Sequence, residues 1–589
     1  MATPQTPQTG LTLLGKLVVS LLVLGLVGAG GWLLREQLFP RAADPGAPTS
    51  PPATDQTAQA PRPAAESAAP GPEAKDAAGV TTAKEYTYVP AERLPPVKGV
   101  SSYKFTDDTV VFPINMWIGW LPIVAANRGF KPNDDSIFYK KYGFRVNLKL
   151  IDDPVVARDA YAAGDSHVLW GTLDMMVLFA ESLMRDSRTA PRIFQQIDWS
   201  SGGDGIVVRE AIKSVRDLKG KTIVYAQNSP SQYYLNSLLI SAGIPPASVR
   251  HKFTASAFEA AAAFVADKSI DGCVSWAPDI YNIPEKVPGT RILSTTQDAN
   301  RLITDVYAVR ADFAKDHPEI VKGLVAGIFE GMAEVARDPT QALRQLAEGY
   351  ALPVEEVEQM RTDAYSTNFG ENRQFFLNAN NPTNFERTWK NVTAVYRELG
   401  IIGSPIPFDQ VMDFSVIQAL DEAKAFPDQI EAPTKPFVAT DFKKLSGEAP
   451  ILTQTIHINF YPNSANLKEL ARDELGMPIA GKPYDPNIDV TLERVFRVSG
   501  QFANARIAIV GHADSSRKGQ VPFEDVRALS LARAEAVKKA LLDKYPGRFD
   551  PNKFVVDGKG WNEPADPAKP NDHAKNRRVE ISVYQPEAG

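Results

Sequence analysis

The sequence predicts an α/β domain built in two successive series of strands and helices, then a smaller α+β domain, with an apolar transmembrane helix ahead of both. Three observations predict it. Between residues 109 and 309 short apolar strands alternate with helical stretches, the texture of a layered α/β domain. Near the end, residues 507–583 give an apolar strand, a long helix with charged faces and a final alternating strand. At the start, residues 17–34 carry no charge, which is long enough to span a bilayer when the helix begins near Leu11.

A chain of 589 residues exceeds one ordinary domain. The division read from composition is an anchor (1–36), a linker (37–95), the α/β domain (96–430), a short linker (431–449) and the α+β domain (450–589). A net charge of −6 leaves no basic field, so no nucleic acid partner is expected. The one cysteine, Cys273, has no partner for an internal disulfide; between Gly272 and Val274 it reads as a small buried hydrophobe rather than a nucleophile. Six histidines are scattered without metal-ligand spacing, so no metal and no cofactor are expected.

Lys16 precedes the apolar N-terminal run, and Arg35 and Glu36 follow it. A cleaved signal peptide is the competing reading. It wants a shorter apolar core ending in a small-x-small site, whereas Trp32, Leu33 and Leu34 follow the glycines at 28–31. The uncleaved anchor is the reading taken. Charge does not orient it, since Lys16 stands against Arg35 and Arg41. Residues 39–89 are rich in Pro, Ala, Thr, Gln and Glu, and bury too little to offset the entropy of ordering. They read as a tether reaching on the order of 150 Å at about 3.1 Å per residue.

In the middle of the chain, residues 109–114, 144–150, 167–170, 193–197 and 205–209 read as strands of the first series. Residues 222–226 and 272–275 belong to the second, and the strand 304–309 leads back towards the first. Pro122 suits the first turn of a helix, and residues 319–337, 339–350, 353–362, 383–398 and 411–426 are helical. This order, with Trp117-Ile118-Gly119-Trp120-Leu121-Pro122, Gly202-Gly203-Asp204-Gly205, Asp217-Leu218-Lys219-Gly220-Lys221 and Trp276-Ala277-Pro278, resembles the type II periplasmic solute-binding proteins. The nearest subfamily is that of sulfonate, taurine, nitrate and thiamine-precursor receptors. The resemblance covers about residues 105–345. It implies two lobes joined by crossing strands, near residues 206–208 and 305–309, with a ligand between them.

Ligands on open α/β sheets sit beyond the carboxyl ends of strands. The loops in that position carry Trp117, Trp120, Thr172, Asp174, Asp204, Ser229, Ser231, Trp276 and, on the second crossing, Asp305. Each has a structural alternative. Ser231 either caps its helix or, with the free N–H groups there, receives an anionic oxygen. Asp174 either stabilises a helix N-terminus or faces the ligand. Trp117 and Trp120 straddle a turn, which puts one in the core and one in the cleft. Asp204 and Asp305 are hinge acceptors or ligand contacts. The expected ligand is a small solute, either anionic or, given the carboxylates, an amine.

In the C-terminal region a turn at Gly511-His512-Ala513-Asp514 ends one strand, a helix from 529 to about 542 follows, and Asn576-Arg577-Arg578 precede the last strand. Gly-His-x-Asp, Leu-Ser-x-x-Arg-Ala and Asn-Arg-Arg-Val in this order resemble the OmpA-like peptidoglycan-binding domain, over roughly residues 450–585. Residues 456–467 look like that family's first strand and turn. The resemblance implies non-covalent attachment to peptidoglycan through diaminopimelate, with Asp514 and Arg533 holding its ammonium and carboxylate, and Arg577 and Arg578 divided between groove and core edge. Val526 stands where the family commonly has Asn, and residues 517–525 form an insertion-like loop.

No GxSxG, P-loop or metal-ligand pattern supports an enzyme. The expected function is a receptor tethered to the inner membrane, its bulk in the periplasm, that grips the wall and feeds a permease or reports to a membrane partner. The alternative is a structural membrane-to-wall linker whose α/β domain docks a protein.

Overall fold

The structure, a computed structural model, describes residues 79–91, 94–433, 436–448 and 450–585. The expected anchor and most of the expected linker lie outside these residues. Among the described residues no helix is long and apolar enough to cross a membrane.

The strands of the first domain are β1 (Tyr88–Val89), β2 (Thr109–Ile114), β3 (Arg145–Leu150), β4 (Val168–Thr172), β5 (Pro191–Ser200), β6 (Asp204–Arg209), β7 (Thr222–Ala226), β8 (Arg250–Thr254), β9 (Gly272–Trp276), β10 (Thr290–Thr295), β11 (Thr304–Arg310) and β12 (Ala364–Ser366). They make two lobes. In the first, β12, β5, β11 and β4 form one sheet in that order, and β2 and β3 pair in parallel beside it. His167 joins the two pieces: its N–H donates to Val111 O at 3.1 Å, and Val111 N donates to its Nδ1 at 2.9 Å. Burial holds this imidazole down at about 4, so it remains a neutral acceptor. The second lobe is a six-stranded sheet in the order β1-β8-β7-β9-β6-β10.

The crossings lie elsewhere than the sequence placed them. β6 pairs only within the second lobe, with β9 and β10, and β11 only within the first, with β4 and β5. The chain changes lobe in the loops at 201–203 and 296–303. Thr296 ties the two loops together. Its hydroxyl accepts from Gly202 N at 3.0 Å and Asp204 N at 3.1 Å, and lies 2.7 Å from Ser200 Oγ.

The end of the expected linker is also folded. Thr82 N and Oγ1 both donate to Asp279 Oδ1 at 2.8 Å, Val80 and Tyr86 pack beside Phe264, Ile280 and Ile283, and β1 adds an edge strand to β8. A few apolar side chains spaced among polar ones suffice here because a finished sheet edge supplies the backbone partners.

Arg310, fully buried at the end of β11, fixes the first lobe from within. It pairs with Asp312 at 2.8 Å and donates to the carbonyls of Tyr161, Ala162 and Ser101. Arg310→Met leaves those acceptors without a donor and is expected to cost ~3 kcal/mol, read as a lowered urea midpoint.

The C-terminal domain contains β13 (Leu452–Ile456), β14 (Leu470–Arg472), β15 (Pro478–Pro483), β16 (Arg506–Gly511), β17 (Phe554–Gly558) and β18 (Val579–Tyr584). β13, β18, β16 and β17 make its sheet in that order, with β16 and β17 parallel. Helices Ile488–Gln501 and Phe523–Lys544 supply Leu492, Val495, Phe496, Ala534, Val537 and Leu541 to a core against Ile507, Ile509 and Ile581. The first strand ends at Ile456, where residues 456–467 had been expected to contain it. Beyond it Asn459 N donates to Asp485 Oδ2 at 2.9 Å instead of to a ladder.

Of the second expected linker, 431–449, the stretch 436–448 is folded as well. Leu445 packs on Ala508, Val510, Val555 and Tyr584, covering the far face of the sheet. The two domains share a core: Ile451, Leu452, Val498, Phe502, Ala505 and Val583 join the buried cluster of the first domain. Arg301 N donates to Gln501 O at 3.1 Å, and Asn504 N to Asn300 Oδ1 at 3.1 Å, so the C-terminal domain rests on the second crossover loop. Arg548 and Glu431 form a two-bonded ion pair at 2.9 and 3.1 Å. Beneath this contact the ammonium of Lys553, fully buried, donates to the carbonyls of Phe502, Ala503 and Ala505. Lys553→Met strands those three carbonyls and is expected to lower stability by about 3 kcal/mol, checked by urea unfolding.

Candidate functional site

A cavity of about 300 Å³ lies between the lobes. The first lobe contributes Asn115, Trp117, Asp152, Asp153, Trp170, Thr172, Met175 and Asp305; the second contributes Asp204, Gln227, Ser229, Ser256, Phe258, Glu259 and Trp276. Strand ends and helix starts put them there. β4 ends at Thr172, β7 runs to Ala226 ahead of a helix opening at Pro230, and β9 ends at Trp276.

The glycine-rich motifs owe their composition to this wall. Trp117 Nε1 donates to Asp198 Oδ2 at 2.9 Å. A Cβ on Gly119 would fall 1.6 Å from that oxygen, and one on Gly203 would fall 2.3 Å from the Trp117 ring. Gly203→Ala is therefore expected to turn Trp117 out of its seat, altering its fluorescence and near-ultraviolet circular dichroism while far-ultraviolet ellipticity holds.

Of the residues expected from sequence, Trp117, Thr172, Asp204, Ser229, Trp276 and Asp305 line the cavity. Three do not. Trp120 is the core member of its pair, packed edge-on against Phe112 with Nε1 donating to Asn115 Oδ1 at 2.8 Å. Asp174 points to Tyr396, whose hydroxyl donates to it at 3.2 Å. Ser231 is wholly buried in the first turn of helix Pro230–Ser241.

Carboxylates gather where the lobes meet. Asp198 and Asp305 are opposite partners in the β5–β11 register. Asp204 Oδ2 accepts from Ser200 Oγ at 2.7 Å, while its Oδ1 has no hydrogen-bond partner although the residue is only 4% exposed. Burial pushes Asp198 and Asp204 up to about 7. Asp305 is raised well above the usual carboxylate range by burial and then by Asp198 and Asp204. Asp363, whose carbonyl accepts from Ser201 N at 2.8 Å at the first crossover, is raised by burial to about 7.

In the C-terminal domain Asp514, Arg533 and Arg577 converge. Arg577 donates to Asp514 Oδ2 at 2.7 Å, and Ser516 N donates to Oδ1 at 2.8 Å. Burial alone raises the Asp514 carboxyl, but the bonds from Ser516 and Arg577 outweigh it and hold it below its ordinary value. Arg533 donates to Ser464 O at 3.2 Å and lies over the Phe460 ring at 4.8 Å. Burial, then the nearby Arg577, lower it to about 10, so it stays charged at neutral pH. Arg578 leaves the group. It is buried and pairs with Glu580 at 2.7 Å, which sets it at the core edge. Burial raises the Glu580 carboxyl, but the nearby His512, 3.6 Å away, and the bond from Arg578 prevail and hold it at about 2.

Residues 137–342 match the family model described as NMT1/THI5 like, and residues 459–578 match the OmpA family. The chain carries one domain of each family. Over 214 residues it is 27% identical to the taurine-binding periplasmic protein of Escherichia coli, an alignment covering 36% of this chain and 64% of that one. Over 133 residues it is 30% identical to the outer membrane protein Omp38 of Acinetobacter baumannii, covering 22% of this chain and 31% of that protein. The chain thus spans less than two thirds of each of these relatives. Among solved structures, the periplasmic aliphatic sulphonate binding protein SsuA of Escherichia coli aligns with 16% identity and a TM-score of 0.42, covering 58% of this chain and all of that one.

The NMT1/THI5-like domain also brings in residues that sequence reasoning passed over. Asp153 and Ser256 cap the helices Pro154–Ala163 and Ala257–Ala266, and Glu259 lies in the first turn of the second. From sequence these are ordinary N-terminal helix residues. Asp198 lies within a buried strand, and only its register against Asp305 reveals its place.

Proposed function

We propose that this protein is a membrane-tethered periplasmic receptor of the substrate-binding type that serves ABC transporters, and that its OmpA domain binds peptidoglycan without a covalent bond. The observation that carries the receptor reading is a cavity shared by two lobes that are joined by two loops laced by Thr296. Closure of such lobes is driven by contacts that the ligand makes with both at once. The wall reading rests on Asp514, Arg533 and Arg577 lying close together, a carboxylate and two guanidinium groups suited to the free amino-acid end of diaminopimelate. A permease or sensor in the inner membrane is the partner this arrangement would serve. A protein-docking spacer has no need of a cavity between its lobes, so the receptor is the stronger reading.

The test is native mass spectrometry of the gently purified full chain. Under the receptor reading a small solute accompanies it and is released on unfolding. A chain that holds no solute, and is stabilised by none in a broad thermal-shift panel, belongs to the docking alternative.

A further inference from the structure

We propose that the cleft takes a small organic ammonium ion, its cationic nitrogen held by Asp204 against the rings of Trp117, Phe258 and Trp276. This rests on the receptor reading above and names the ligand class for the same cavity.

The lining carries five acidic residues, Asp152, Asp153, Asp204, Glu259 and Asp305, and no Lys, Arg or His. An anion entering it meets no cationic side chain. The second observation is Asp204 itself: only 4% exposed, on the cavity wall, with Ser200 satisfying one oxygen and nothing satisfying the other. A buried carboxylate with a bare oxygen wants a donor, most of all a charged one. The neighbouring walls are aromatic. Phe258 and Trp276 stand edge to face with centroids 5.4 Å apart, and both line the cavity with Trp117. Aromatic faces attract ammonium groups through the ring quadrupole and take methylated ones as readily as primary ones.

A metal ion is the other cation to weigh. Among the described residues no group of three or more His, Cys, Asp or Glu is placed to hold one. The apolar walls likewise suit carbon better than a hydrated ion. At about 300 Å³ the cavity is at the small end for organic ligands, which suits compounds of the size of choline or ethanolamine.

The test is calorimetric titration and thermal shift of the full chain at pH 7.5 with choline, ethanolamine, tetramethylammonium and taurine, set against ethanesulfonate and sulfate, with a small-molecule cell extract in parallel. The ammonium compounds are expected to bind and the two anions are not. Asp204→Asn should weaken ammonium binding at least tenfold. Should that variant fold poorly, Trp276→Leu should also weaken it, and Trp276→Phe should restore it. Binding of ethanesulfonate or sulfate with no response to the amines overturns the ammonium assignment and leaves the receptor standing. If only an extract component binds, its charge by mass spectrometry decides: a cation supports the inference and an anion sinks it. If neither panel nor extract binds, the receptor reading falls with it.

Discussion

Arg533→Ala is expected to cut retention of the full chain on purified sacculi by about 10- to 100-fold, and Asp514→Ala by a similar factor, with the fold intact. The magnitude follows from a charge-assisted pair that contributes about 1.5–3 kcal/mol, each 1.4 kcal/mol being a factor of ten in affinity. In the proposed wall contact the two residues would hold opposite ends of one amino-acid group, so their contributions should fall together when either is lost. Arg578→Ala makes the contrast. Its guanidinium serves Glu580 and the Glu563 carbonyl, so its loss should lower the melting temperature while the surviving folded chain still binds sacculi. Sedimentation with sacculi beside a thermal melt separates the two behaviours. Retention of Arg533→Ala at the wild-type level would remove the wall assignment.

The second large effect is a dependence of stability on pH that runs against the usual acid denaturation. Asp204 lies near Asp174, Asp198, Asp305 and Asp363, and burial raises all five. An unfolded Asp loses its proton near pH 4, whereas the folded Asp204 keeps its proton to about 7. The contribution of this proton to stability is therefore complete below about pH 4 and is lost as pH climbs to 7, by on the order of 2–4 kcal/mol. The unliganded chain should thus gain less stability, or lose some, between pH 5 and pH 8, and Asp204→Asn should flatten that trend in urea unfolding. Ligand affinity has the opposite slope: a cation favours the ionised carboxylate, so its binding should tighten as pH rises over the same range.

How much of this was legible varies with the kind of contact involved. The strands at 109–114 and 222–226 coincide with their sequence reading because each is an apolar run bounded by turn residues. The β14–β15 hairpin escaped notice because it buries almost nothing. Helix Pro230–Ser241 is where the sequence reading put a helix, although it is buried along nearly its whole length and shows no amphipathic period. The fold of residues 79–89 onto Asp279, and of Leu445 onto the far sheet, depends on surfaces made by distant chain; sparse apolar residues look like linker until those surfaces exist. The candidate sites divide in the same way. The places of Asp514, just beyond a strand end, and Arg533, on a helix, were readable because their motifs fix them there. Trp117 and Trp120 were not separable, since a turn places both and only packing on Phe112 and the bond to Asp198 decides which faces the cleft.

One measurement bears most directly on a chain that holds a solute while attached to the wall. Purified sacculi are loaded with the full chain, incubated with a small-molecule cell extract, washed, and stripped for mass spectrometry. A solute should be retained at about one per bound chain, sharply reduced with Trp276→Ala, and absent when Asp514→Ala keeps the protein off the sacculi. Sacculi that retain the wild-type chain but no solute, or as much solute with Trp276→Ala as with the wild type, would contradict the account.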